Sequence, residues 1–365
     1  MTDDLLYQIA LTDVPNIGSV QSKILVEYFG NARDIFSAKK QSLEKIDGIG
    51  TLRAKAIKDF NGFAAAEEEI VFIEKYKIQP LFMTDADYPQ RLLHCYDSPV
   101  LLYYRGNADL NVPKIINIIG TRSNTEYGKQ LTEQLVEELQ SLQVLIVSGL
   151  AYGIDSIAHK SAVTANLPTV GVLAHGIDNI YPVQHTALAK QMIQHGGLLT
   201  EFKKQTKPDK HNFPRRNRIV AGMCDATVVI ETASKGGSMI TAEIANSYNR
   251  DVFAFPGKTT DVKSAGCNYL IRSNKAILLE TTEQLIDTLG WASKKVKKKA
   301  QKELFISFSP EEQVLVNILK EKDTVHIDEV YAKSGMNSST VASVMLNLEF
   351  QNVIGSLPGK MYKLL

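Results

Sequence analysis

Residues 114–149 read KIINIIGTRSNTEYGKQLTEQLVEELQSLQVLIVSG. Segments 114–119 and 144–148 are short runs rich in Ile, Leu and Val, and residues 124–140 between them repeat apolar side chains at helical spacing. Apolar runs without polar alternation are the mark of strands buried on both faces, and a helix joining two of them is a crossover between parallel strands. The same grammar continues at 169–174, 198–201, 226–231, 251–255 and 276–279, with a second helical pattern at 238–249. The expected core is therefore an open, parallel α/β sheet within residues 79–291.

Composition shifts set off the rest of the chain. Residues 1–78 are helical and polar with glycine punctuation, 292–305 form a lysine-rich connector, and 306–365 read as a small helical module ending in a hairpin. With 365 residues, two or three domains are expected. The 41 Lys+Arg and 40 Asp+Glu give a net charge of +1, which excludes a globally basic coat and confines any polyanion site to a local patch. No apolar run has the length of a membrane span, and MTDDLLYQIA at the start lacks the features of a signal peptide. Cys95, Cys224 and Cys267 have neither metal-ligand spacing nor an even number, so a cytoplasmic protein without membrane contact is expected.

Ligands of open α/β sheets bind beyond the carboxyl ends of the strands. Gly120-Thr121-Arg122 follows the first strand with a hydroxyl, free amides and a guanidinium suited to a phosphate; Gly149 follows the second. Lys235-Gly236-Gly237-Ser238 opens another helix, with Thr241 in its first turn, and glycines there let backbone approach an anion. Residues 203–218 (KKQTKPDKHNFPRRNR) hold seven Lys or Arg against one Asp, with Phe213 embedded. A cationic strip with an aromatic suits an unpaired nucleic-acid strand: charge follows the backbone and the ring stacks on a base. The alternative is a solvated loop with Phe213 in the core. Arg215, Arg216 and Arg218 read as the start of a helix, where the dipole disfavours cations unless an anion is bound or the side chains reach away.

Other chemistries lack their motifs. GxxxxGK[ST], GxGxxG after the first strand, GxSxG and HExxH do not occur, so no cofactor and no metal is expected. Asp155 and His159, four apart, read as an N-terminal charge and a helix-surface pair.

The chain resembles the DNA-processing protein A family (DprA, also called Smf) through ordered stretches. They are YPQRLLHCYDSPVLLYYRG (88–106), IIGTR (118–122), VSGLAYGIDSIAH (147–159), GVLAHGIDNIYP (171–182), GGLLTEF (196–202), FPRRNRIVAG (213–222), KGGSMITAE (235–243), VFAFPG (252–257) and GCNYLI (266–271). The resemblance implies an extended Rossmann-like core that binds single-stranded DNA with little sequence preference. It also implies a non-enzymatic, homodimeric mediator of natural transformation that protects incoming strands and loads the RecA recombinase. Carried over by position, Arg122 matches the arginine of the turn, Lys210 a lysine before the aromatic, Phe213 the base-stacking ring, and Arg215, Arg216, Asn217 and Arg218 the remainder of that motif. Lys235 matches a basic residue before the glycine-serine turn. A competing enzyme reading is a nucleotide N-glycoside hydrolase of a related fold. Gly236, Gly237 and Glu243 keep its glycine-to-glutamate spacing, but Met239-Ile240 replace its internal Gly-Thr.

The ends fit small modules. IDGIGTLRAKAIKDF (46–60) fits a helix-hairpin-helix with Gly48 and Gly50 at the turn and Ala54 and Ile57 inward; 14–30 is a weaker copy around Gly18. Such a hairpin either binds phosphate or only packs. The tail is expected to be a winged helix with a capping box at Ser309 and Glu312 and a wing around Pro358-Gly359. Its third helix, SSTVASVMLNLEF, carries no Lys or Arg, which favours protein contact over DNA contact. The six lysines within 294–302 read either as a nonspecific phosphate contact or as a solvated linker.

Overall fold

The computed structural model describes residues 4–292, 308–351, 353–357 and 359–364. The connector lysines of 294–302, and Asn352 and Pro358 of the expected wing, lie outside the described residues. The chain forms two compact units that divide after Ala292.

The first unit begins with six helices, Leu5–Leu11, Ser19–Phe29, Ala32–Ser37, Lys40–Glu44, Gly50–Lys58 and Phe63–Tyr76. Gly48 and Gly50 take φ of +79° and +61° at the expected hairpin turn, and Ala54 and Ile57 of the following helix are buried. An L-residue is strained at such φ, so glycine is what this turn demands. These helices share one hydrophobic core with one face of the sheet, from Ile9 and Leu25 through Tyr103 to Val170.

The sheet has nine strands among the described residues: β1 (Gln79–Phe82), β2 (Leu101–Gly106), β3 (Ile115–Ile119), β4 (Leu145–Ser148), β5 (Thr169–Val172), β6 (Gly196–Thr200), β7 (Ala226–Val229), β8 (Asp251–Ala254) and β9 (Ile277–Leu278). Their order is β1-β2-β6-β5-β4-β3-β7-β8-β9. The seven expected strands are all present and parallel. β1 and β2 extend the sheet beyond expectation, and both pair antiparallel. The connecting helices Glu126–Glu138 and Ile154–Thr164 cover the opposite face, over a core that includes Ile116, Leu135, Val228 and Phe253. Cys95, Cys224 and Cys267 are free and buried.

In the second unit, Pro310–Leu319, Ile327–Ser334 and Ser338–Phe350 are helices, and β10 (Val325–His326), β11 (Ile354–Leu357) and β12 (Met361–Leu364) form a small antiparallel sheet. This is a winged helix. The capping box is formed: Ser309 Oγ accepts from the Glu312 N–H at 3.2 Å, and the Glu312 carboxylate accepts from the Ser309 N–H at 2.9 Å.

Candidate nucleic-acid interface

After β3 the chain steps outward through β4, β5 and β6, then returns to the other side of β3 to lay down β7, β8 and β9. Crossovers on either side of β3 leave a crevice at the carboxyl ends of β3 and β7, the place where such sheets hold ligands. A cleft of about 600 Å³ opens there. All the expected site residues line it except Arg215, Arg218 and Lys235.

One wall is the helix Asn212–Gly222. It is fastened to the sheet by polar side chains. Asn117 of β3 donates to the Val220 carbonyl at 3.2 Å, and Arg216 Nη1 donates to the Gly149 carbonyl at 2.6 Å and to the Val172 carbonyl. Arg218 Nη2 meets the Glu201 carboxylate at 2.5 Å. Because this helix begins at Asn212, its arginines sit beyond the first turn, and the dipole argument for an anion at Arg215 does not apply.

The expected cationic strip is mostly spent on the protein itself. Lys203 pairs with Asp13, and Lys204 donates to the Glu68 carbonyl at 2.9 Å, so both tie the N-terminal helices to the sheet. Arg216 and Arg218 are 5% and 8% exposed, turned inward to the partners above. Arg215 stacks over Phe202 at 5.0 Å and lies 3.4 Å from Glu201. Of the strip, Lys210 is the cation that is both exposed and on the cleft wall. Arg216 still lines the cleft from beneath, beside Asp155. Burial pushes its pKa down to about 10, which leaves it charged at neutral pH, and the Asp155 carboxylate opposes that shift.

Asp155 accepts from the Gly149 and Ala151 N–H groups at 3.1 and 3.4 Å; burial raises its pKa against the pull of Arg216. His159 bonds Thr169 Oγ1 at 2.7 Å through Nδ1. Both residues are buried, so the expected helix-surface pair is replaced by two separate internal anchors.

The Gly120-Thr121-Arg122 turn also differs from expectation. The Thr121 N–H donates to the Glu231 carbonyl at 2.7 Å, so this amide is not free for a phosphate. The next helix starts only at Glu126, capped by Thr125. What the turn presents to the cleft is Arg122, exposed, its guanidinium 5.3 Å from the Phe213 ring centroid. Phe213 is half-buried and belongs to none of the hydrophobic cores, which removes the core alternative.

On the far wall Gly236 caps the helix Gly237–Ser247. The Met239 N–H is taken by the Gly236 carbonyl at 3.1 Å, and no atom lies within 4 Å of where a Gly237 Cβ would stand. Ser238 is turned inward, donating to Thr232 Oγ1 at 2.7 Å, and Thr241 is buried beyond the first turn. Lys235 is exposed on the preceding loop. Glu243 is exposed and pairs with Lys275 at 3.4 Å, away from the cleft lining.

Sequence reasoning left Tyr181 without a role. It lies in the quoted GVLAHGIDNIYP stretch, and its ring stands 6.4 Å from that of Phe213.

A doubly wound sheet with an aromatic and cationic crevice at its switch point, in a chain that also carries a winged helix, defines the class by its architecture. Comparison with known proteins narrows it. Residues 79–290 match the family described as DNA recombination-mediator protein A, and residues 298–360 match the DprA winged helix domain. The chain is 35% identical to Protein Smf of Synechocystis over 78% of this chain and 72% of that one. The structure of DNA processing protein A from Streptococcus pneumoniae superposes with a TM-score of 0.67 at 30% identity, covering 79% of this chain and 98% of that one. DNA processing protein A from Helicobacter pylori, whose structure concerns its single-stranded DNA binding mode, gives 0.54 at 31% identity, covering 59% and 96%. This chain belongs to the DNA recombination-mediator protein A family, DprA/Smf.

Proposed function

We propose that this protein binds single-stranded DNA in the cleft between β3 and β7 and hands it to a RecA-type recombinase. The observation that carries the reading is the meeting of Arg122, Lys210 and Phe213 on one cleft wall above the buried charge of Arg216. Cations that contact phosphates recognise any sequence, and a ring stacks on any base. Family membership supports the remaining parts: protection of incoming strands in transformation, assembly as a homodimer, a cytoplasmic location and the absence of catalysis. Glu243, the acid of the hydrolase reading, pairs with Lys275 outside the cleft lining, which supports the non-enzymatic reading.

The test is titration of fluorescent oligothymidylate and of a duplex of equal length at two salt concentrations. Tighter binding of the single strand is expected, weakening as salt rises with a slope of about −0.7 per phosphate contact. Equal affinity for the duplex, or a flat salt response, would remove the reading.

A further inference from the structure

We propose that Tyr181 is the second wall of a base slot, and that one unpaired base is clamped between its ring and that of Phe213. The inference rests on the single-strand reading and adds a residue and a geometry to it. Tyr181 sits on the loop after β5, where the chain crosses the rim of the cleft. Its side of the rim is a narrow recess shared with Arg122, Gly149, Phe213 and Arg216, all of which also line the main cleft.

Tyr181 is 49% exposed and lines the recess beside the cleft. Neighbouring Tyr152 is also exposed, but its hydroxyl is tied to Gln184 Oε1 at 2.6 Å and its ring packs on His185. The Tyr181 hydroxyl has no hydrogen-bond partner among the described residues. Its ring is held at one edge by His175, whose centroid is 6.5 Å away at 84°. His175 is itself buried and bonded to the Gly176 carbonyl at 2.9 Å, so it supports the tyrosine from a fixed position.

The Tyr181 and Phe213 centroids are 6.4 Å apart with the planes 48° from parallel. A flat base between two rings needs two van der Waals contacts of about 3.5 Å, or about 7 Å between centroids. The observed spacing is short of that by a fraction of an ångström. The planes lie 48° from parallel, so the base enters as the half-exposed tyrosine ring turns to face Phe213.

The experiment uses the full chain, a fluorescein-labelled oligothymidylate and an abasic strand of the same length. Tyr181→Ala is expected to bind oligothymidylate about 5- to 150-fold more weakly, the range for loss of one stacked base. Tyr181→Phe keeps wild-type affinity, because the ring and not the hydroxyl makes the contact. The salt slope of Tyr181→Ala stays at the wild-type value, and on the abasic strand the two proteins bind alike. An affinity of Tyr181→Ala for oligothymidylate within twofold of wild type, or an equal loss on the abasic strand, overturns the proposal. Tyr181→Trp gives a second readout that needs no truncation. The chain has one tryptophan of its own, so the added indole reports the slot, and quenching on oligothymidylate but not on the abasic strand is expected. Unquenched fluorescence in a saturated complex overturns the slot. If the wild-type protein binds no oligothymidylate, the single-strand reading falls with it.

Discussion

The guanidinium of Arg122 lies 5.3 Å from the centre of the Phe213 ring, and Arg122 is otherwise exposed. The cation and the ring thus stand side by side on the cleft wall, one suited to a phosphate and the other to a base. Arg122→Ala is therefore expected to weaken binding to every sequence alike and to reduce the salt slope by about 0.7. Fluorescence anisotropy at several salt concentrations measures both, and the melting temperature should not move.

Lys210 and Arg218 belong to one stretch of sequence and should separate under mutation. Lys210 is exposed on the cleft wall, so Lys210→Ala should cost affinity and leave stability unchanged. Arg218 partners a Glu201 side chain that is 6% exposed. Removing Arg218 leaves the buried Glu201 only its longer contact with exposed Arg215, so Arg218→Ala should destabilise by up to about 3–5 kcal/mol. Denaturant unfolding of Arg218→Ala checks this.

That contrast marks what the sequence could show. Buried parallel strands announce themselves as runs such as IINII, and all seven were legible. β1 was not, because Pro80 interrupts it; an edge position tolerates proline, and β1 is the edge. LLYYRG has strand composition, but in the sequence it runs on unbroken from the family stretch that begins at Tyr88. The cations of 203–218 were legible as charge, but not as charge already committed. Asp13, Glu68 and the carbonyls of Gly149 and Val172 come from four other places in the chain, and Glu201 lies just before the strip. Tyr181 carried no signal beyond being an aromatic after a strand; the ring it faces is on another element.

Gly149 is an expected site residue whose role is clearance. A Cβ there would collide with the Arg216 guanidinium, which Gly149 itself helps to anchor through its carbonyl. Gly149→Ala should destabilise the protein by about 1–3 kcal/mol through overpacking. It should also weaken strand binding, because the displaced guanidinium underlies the cleft. Thermal unfolding and oligonucleotide titration together test this.

His159 is fully buried, and burial pushes its pKa down to about 3 from 6.5. The unfolded chain binds a proton there that the native state refuses, so this group's contribution to stability is present above pH 6.5. It falls as pH drops toward 3, with a slope of up to about 1.4 kcal/mol per pH unit. His159→Gln should flatten the pH dependence of unfolding in that window.

The central claim is that the unpaired strand crosses Phe213. Photo-crosslinking an oligonucleotide that carries 5-iododeoxyuridine, followed by peptide mapping, tests it most directly. The expected crosslink falls on the peptide containing Phe213 and is lost in Phe213→Ala. Crosslinks confined to the N-terminal helices or the winged helix, with the Phe213 peptide unmodified, would contradict it.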